Sequence, residues 1–146
     1  MADDETILAL EHEMSVLIRR LRRRIALRAR MVHPDLAPVA YSMLMALHDG
    51  GPQRASALVE LFAVDKGAIS RQVSTLLELG LIERTPDPDD RRAAILALTP
   101  HGLERMEAVT LDRRAEFREK LGDWTHDDLR GFVDVMARYN ASLETG

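Results

Sequence analysis

The chain has 146 residues, 46% of them apolar and 30% charged, with a net charge of −4 and no cysteine. That is one domain's worth of chain, or two small subdomains sharing a core, in an ordinary globular composition. The missing cysteine excludes a disulfide scaffold, a thiol nucleophile, a cysteine zinc site and a cysteine redox sensor.

In chain order, residues 6–31 read as one long helix, because Ile7, Leu10, Met14, Leu17, Leu21 and Ile25 recur at steps of three or four as a single apolar stripe. Pro34 ends it, since the residue before a proline is pushed out of the helical region. A second helix starts near Pro38 and runs through Tyr41, Leu44, Met45 and Leu47 to Gly50-Gly51. Residues 53–62 read as a short third helix. Asp65 caps a fourth that faces Ile69, Val73, Leu76 and Leu77 to one side and stops at Gly80. The short break between the third and fourth helices is the spacing of a helix-turn-helix.

Two apolar runs, 81–85 and 93–98, then flank Pro86-Asp87-Pro88-Asp89-Asp90-Arg91-Arg92 and read as a β-hairpin with Asp87-Pro88-Asp89-Asp90 as a type I turn. The seven residues between the runs exceed a tight loop, so the tip projects as a wing. Thr99-Pro100 starts a fifth helix to about Leu121, carrying Leu103, Met106, Thr110, Phe117 and Leu121. Thr125 caps a sixth, in which Leu129, Phe132, Met136, Tyr139 and Leu143 form a heptad-like seam. The fold class is mainly α (α+β): a winged helix-turn-helix over 35–100, with 1–34 and 101–146 as helical dimerisation regions. Ile7, Leu10, Met14, Leu17, Phe117, Leu121, Leu129, Phe132, Met136, Tyr139 and Leu143 are the expected interface of a two-fold homodimer. A monomeric bundle that packs these stripes on its own central domain is the alternative.

Charge is polarised along the chain. Residues 1–16 hold five acids and no Lys or Arg, whereas 17–35 hold seven arginines against Asp35. Residues 52–100 carry six basic and seven acidic side chains. On the fourth helix, the faces opposite Ile69, Val73 and Leu76 present Gly67, Arg71, Ser74 and Glu78, flanked by Ser70 and Thr75, with Lys66 at the start. Such a face suits the major groove of double-stranded DNA: Arg71 can fork onto guanine, Gln72, Ser70 and Ser74 can add base or phosphate contacts, and Gly67 lets the backbone approach closely. At the wing tip, Arg91 and Arg92 beside Asp89 and Asp90 suit a narrow minor groove, where a nearby carboxylate can hold a guanidinium in position. Arg54 and Arg84 can clamp phosphates, or can equally be surface ion-pair partners.

The stretch from Ala63-Val64-Asp65-Lys66-Gly67-Ala68-Ile69-Ser70-Arg71 to Gly80-Leu81-Ile82-Glu83-Arg84, with Asp87-Pro88-Asp89-Asp90-Arg91-Arg92 and Leu98-Thr99-Pro100-His101-Gly102, resembles the multiple-antibiotic-resistance regulator (MarR) family. The resemblance implies an obligate homodimer built on the first, fifth and sixth helices. Two winged lobes would read a palindromic operator, and a small effector, often an aromatic acid, would sit between the dimer helices and the DNA-binding lobe. It puts Arg92 in the place of the family's minor-groove arginine, with Asp90 as its positioning partner. Lys66, Ser70 and Arg71 take recognition-helix positions that touch DNA. The family's oxidation-sensing branch is excluded, as there is no cysteine to oxidise.

The expected function is therefore a dimeric, sequence-specific transcriptional regulator, a ligand-responsive repressor. Its alternative is a winged-helix protein-interaction module without specific DNA readout, which the near-neutral balance of 52–100 keeps open. An enzyme is not expected, since no Gly-rich phosphate loop, nucleophile elbow or metal-ligand spacing is visible. No cofactor or metal is expected either: His12 sits between Glu11 and Glu13, where adjacent helical residues point apart, and His33, His48, His101 and His126 are scattered. No run of about 18 apolar residues exists to span a membrane. The acidic Asp3-Asp4-Glu5 is unlike the basic start of a signal peptide, so a cytoplasmic location is expected.

Overall fold

The computed structural model describes residues 1–62 and 65–144; Ala63 and Val64, which open the family-like motif, lie outside the described residues. The elements run α1 (Asp4–Val32), α2 (Pro38–Gly50), β1 (Gln53–Arg54), α3 (Ala55–Leu61), α4 (Lys66–Glu78), β2 (Ile82–Pro86), β3 (Ala94–Leu98), α5 (Pro100–Lys120) and α6 (His126–Leu143). This is a mainly helical winged-helix architecture with one small antiparallel sheet of order β1-β3-β2. No helix among the described residues is long and apolar enough to cross a membrane.

The local signals explain most boundaries. α1 starts two residues earlier than the apolar stripe suggests, because the Asp3 carboxylate accepts the free Thr6 N–H at 2.8 Å. Pro38 opens α2. α4 ends in a Schellman motif, with Gly80 at φ 70° and its two closing bonds, Leu81 N–H to Leu76 C=O and Gly80 N–H to Leu77 C=O, both 3.1 Å.

One expectation is corrected. Residues 53–62 are not a single helix: Gln53 and Arg54 are a short strand that pairs with β3 at Leu96 and Ile95. The helical composition of the segment is overridden by a ladder with residues about forty positions away, a context that local propensity does not contain.

The chain divides into two compact units, Met1–Val109 and the residues from Thr110 onward, with α5 crossing the division. The first unit has its core around α2, whose Ala40, Tyr41, Met43, Leu44 and Leu47 are buried. Ile69, Val73 and Leu76 of α4 pack there, as do Leu81, Ile82 and Leu96 from the sheet, Ala29 and Val32 from the end of α1, and Met106 and Val109 from the start of α5. The α1 stripe meets this core only at its C-terminal end: Ile7, Leu10, Leu17 and Leu21 are all exposed. Arg105 of α5 fastens that same end, donating from Nε to Val32 C=O at 3.1 Å and from Nη2 to Met31 C=O at 2.6 Å.

In the second unit, the end of α5 turns into α6 through Gly122 and Trp124. Thr125 and Asp128 form a reciprocal capping box, and the rings of Trp124 and Phe132 meet edge to face at 5.6 Å. Leu129, Phe132, Met136, Tyr139 and Leu143 are 36% to 61% exposed, so the seam is uncovered within one chain. Phe117 is exposed as well, and Leu121 is half-buried.

Candidate nucleic-acid interface

α4 has one buried face and one exposed face. Ile69, Val73 and Leu76 are at most 4% exposed and anchor it to the core. Lys66, Gly67, Ser70, Arg71, Ser74 and Glu78 are exposed, while Gln72 and Thr75 are half-buried at the flanks. Two of its first-turn amides are already occupied, because the Asp65 carboxylate accepts Gly67 N–H at 3.0 Å and Ala68 N–H at 3.2 Å. Anion contact at this end therefore falls to the Lys66 and Arg71 side chains. The hydroxyls of Ser74 and Thr75 turn back onto the helix, donating to the carbonyls of Ser70 at 3.2 Å and Arg71 at 3.1 Å. Each can still accept from a ligand while it donates inward.

Strands β2 and β3 pair from Ile82↔Leu98 to Pro86↔Ala94, and the loop beyond them is a chain of closed turns. Asp87 N–H donates to Ala93 C=O at 3.1 Å, Asp90 N–H to Asp87 C=O at 3.3 Å, and Ala93 N–H to Asp90 C=O at 3.0 Å. Two carboxylates stiffen it further: Asp87 Oδ1 accepts Asp89 N–H at 2.9 Å, and Asp90 Oδ1 accepts Arg92 N–H at 3.0 Å. Asp90 thus holds Arg92 through its main chain, where the sequence suggested a hold on the guanidinium. Arg91 and Arg92 stand exposed at the tip with no ion-pairing carboxylate among the described residues, and Arg84 is exposed on β2.

Sequence reasoning missed Asp87. It is 5% exposed, and its Oδ2 pairs with Arg54 Nε at 2.7 Å. Asp87 opens the type I turn in the sequence, but nothing local says that its carboxylate turns inward onto β1. Arg54, expected as a phosphate clamp or an ion-pair partner, is half-exposed and engaged by this carboxylate.

A second feature of the first unit is a cavity of about 420 Å³ lined by Arg22, Ile25, Pro38, Val39, Ser42 and Phe62. One guanidinium and one hydroxyl over an otherwise apolar lining suit a small anion with an apolar body.

A family model described as MarR family matches residues 35–93. The uncharacterized HTH-type transcriptional regulator YxaD of Bacillus subtilis is 27% identical over 143 residues, which is 98% of this chain and 99% of YxaD. The HTH-type transcriptional repressor NicR of Pseudomonas putida is 36% identical over 76 residues, 52% of this chain and 48% of NicR. The crystal structure of a mutant MarR from E. coli complexed with operator DNA shares the fold at a TM-score of 0.66 and 19% identity, covering 94% of this chain and 99% of its own length.

Proposed function

We propose, from the premise that this chain belongs to the MarR family of helix-turn-helix transcriptional regulators, that it is a homodimeric, ligand-responsive repressor reading a palindromic operator in the cytoplasm. The carrying observation is the pairing of an exposed Lys66-Ser70-Arg71-Ser74 face on α4 with a rigid wing whose Arg91 and Arg92 stand exposed. In this reading α4 enters the major groove and Arg71 reads base edges, with Gly67, Gln72 and Thr75 alongside. Arg92 enters the minor groove, and Arg84 meets phosphate.

Dimerisation is supported by the uncovered apolar stripes of α1 and α6, each of which a second copy would bury. A two-fold axis would set the two recognition helices about 34–36 Å apart, one turn of DNA. The repressor assignment is supported by the relative NicR. An aromatic-acid-like effector is supported by the Arg22 cavity, and no cofactor enters the proposal.

The test is gel-shift binding to the DNA flanking the protein's own coding region, with random duplex as competitor, at two salt concentrations. Competitor-resistant binding that weakens steeply with salt is expected. Absence of binding at low salt would overturn the assignment in favour of a protein-interaction module.

A further inference from the structure

Asp87 makes more bonds than any other side chain of the wing, and none of them can involve DNA, because the residue is buried. Its Oδ1 closes the turn onto Asp89 N–H at 2.9 Å, and its Oδ2 holds Arg54 Nε at 2.7 Å. Its main chain meanwhile ties the two arms of the loop together through Ala93 and Asp90. Arg54 lies on β1, which pairs with β3 through Leu96 and Ile95, and it is also the residue from which α3 starts. The pair therefore connects the helix-turn-helix to the base of the wing by a charge-assisted bond, in addition to the β1–β3 ladder. Buried bonds to a charged group are strong, and leaving either partner alone is costly.

We propose that Arg54 and Asp87 form a strut that fixes the wing relative to α3 and α4, so that both are positioning residues for the minor-groove contact of Arg91 and Arg92 and Arg54 is not a phosphate clamp. This rests on the DNA-reading function above. It gives Asp87, an acid on a DNA-facing module, a favourable part in binding a polyanion. A purely electrostatic view gives it the opposite one.

The experiment compares Arg54→Met, Asp87→Asn and the double variant by fluorescence anisotropy on the flanking-DNA duplex and on random duplex, across a salt series. Amide hydrogen exchange of the wing is followed in the same proteins without DNA. Each single variant should bind the specific duplex about tenfold more weakly, the scale of one lost contact. The double variant should be no weaker than the worse single one, because both remove the same connection. Exchange at Asp89, Asp90 and Ala93 should quicken in all three.

Additive losses, or Asp87→Asn binding as tightly as the parent or tighter, would overturn the strut. So would an Arg54→Met loss that is equal on random duplex and lowers the salt slope by about one, the signature of a phosphate contact. Unchanged exchange in Arg54→Met would overturn it without reference to DNA. Failure of the parent protein to prefer the flanking duplex would instead refute the DNA-reading function, with the exchange experiment still deciding the strut. Arg54 is half-exposed, so its variant keeps the test available if Asp87→Asn lowers stability.

Discussion

Replacing Gly102 by alanine sets two physical effects of opposite sign against each other. Gly102 lies in the first turn of α5, and alanine in place of glycine inside a helix stabilises by about 1 kcal/mol on propensity alone. Here the added Cβ would overlap the Leu81 carbonyl oxygen and stand 2.9 Å from its carbon and 3.2 Å from Leu81 Cα. These are main-chain atoms, so no rotamer change relieves the clash. Relieving it requires the helix start and the α4–β2 turn to move apart.

Three bonds cross or brace that contact: Thr99 N–H to Leu81 C=O at 3.1 Å, Thr99 Oγ1 to Gly80 C=O at 2.6 Å, and Gly102 N–H to Thr99 Oγ1 at 3.0 Å. Overpacking of about 1–3 kcal/mol, plus about 1 kcal/mol for each of the two bonds from Thr99 that cross the contact, outweighs the propensity gain of about 1 kcal/mol. Gly102→Ala is expected to destabilise by about 2–4 kcal/mol in urea unfolding at fixed protein concentration. Gly131→Ala, where an added Cβ meets nothing within 4 Å, serves as the control and should gain up to about 1 kcal/mol. A Gly102→Ala protein as stable as the parent would refute the steric reasoning and the docking of α5 on that turn.

Arg71→Ala and Arg92→Ala should each weaken operator binding by about 1–3 kcal/mol, with circular dichroism and sedimentation unchanged; undiminished binding in both would remove them from the interface. Phe132→Asp puts a charge in the exposed α6 seam and should shift sedimentation toward monomer and abolish tight operator binding. A variant that stays dimeric would place the interface elsewhere. The Asp3 carboxyl is held below its ordinary value by the hydrogen bonds from Thr6, so its support of α1 is present above the unfolded carboxylate pKa and is lost as pH falls through the folded one. The protection factor of the Thr6 amide, taken against its intrinsic exchange rate at each pH, should therefore fall on acidification in the parent and stay flat in Asp3→Asn.

The helices were legible because their signals are local. A cap at Asp65 or Thr125, a stop at Gly80 and an apolar period each act within one turn, and the structure contains all of them. The wing was legible for the same reason, from Pro and Asp in a seven-residue interval between two apolar runs. What stayed hidden depends on partners far away in sequence. Gln53 and Arg54 are a strand only because Leu96 and Ile95 offer an edge, and Asp87 is buried only because Arg54 arrives from β1. The Leu98-Thr99-Pro100-His101-Gly102 motif could be matched to a family without showing its cause, which is the approach of Gly102 to the Leu81 carbonyl.

The same distinction resolves why a near-neutral segment can present a basic face. Of the seven acids in residues 52–100, Asp65, Asp87 and Asp90 turn their carboxylates onto main-chain N–H groups that cap α4 or close the wing, and Asp87 also binds Arg54. These acids shape the backbone that carries the cations: Asp65 and Asp90 each do so through one carboxylate oxygen, and Asp87 through both. Lys66, Arg71, Arg84, Arg91 and Arg92 remain exposed on the elements so shaped. A sum of charges weighs these acids and their basic neighbours alike, although Asp87 is buried and ion-paired while Asp65 and Asp90 are exposed. The hydrogen bonds show them serving different purposes, so the balance of −1 argues little about what the face can bind.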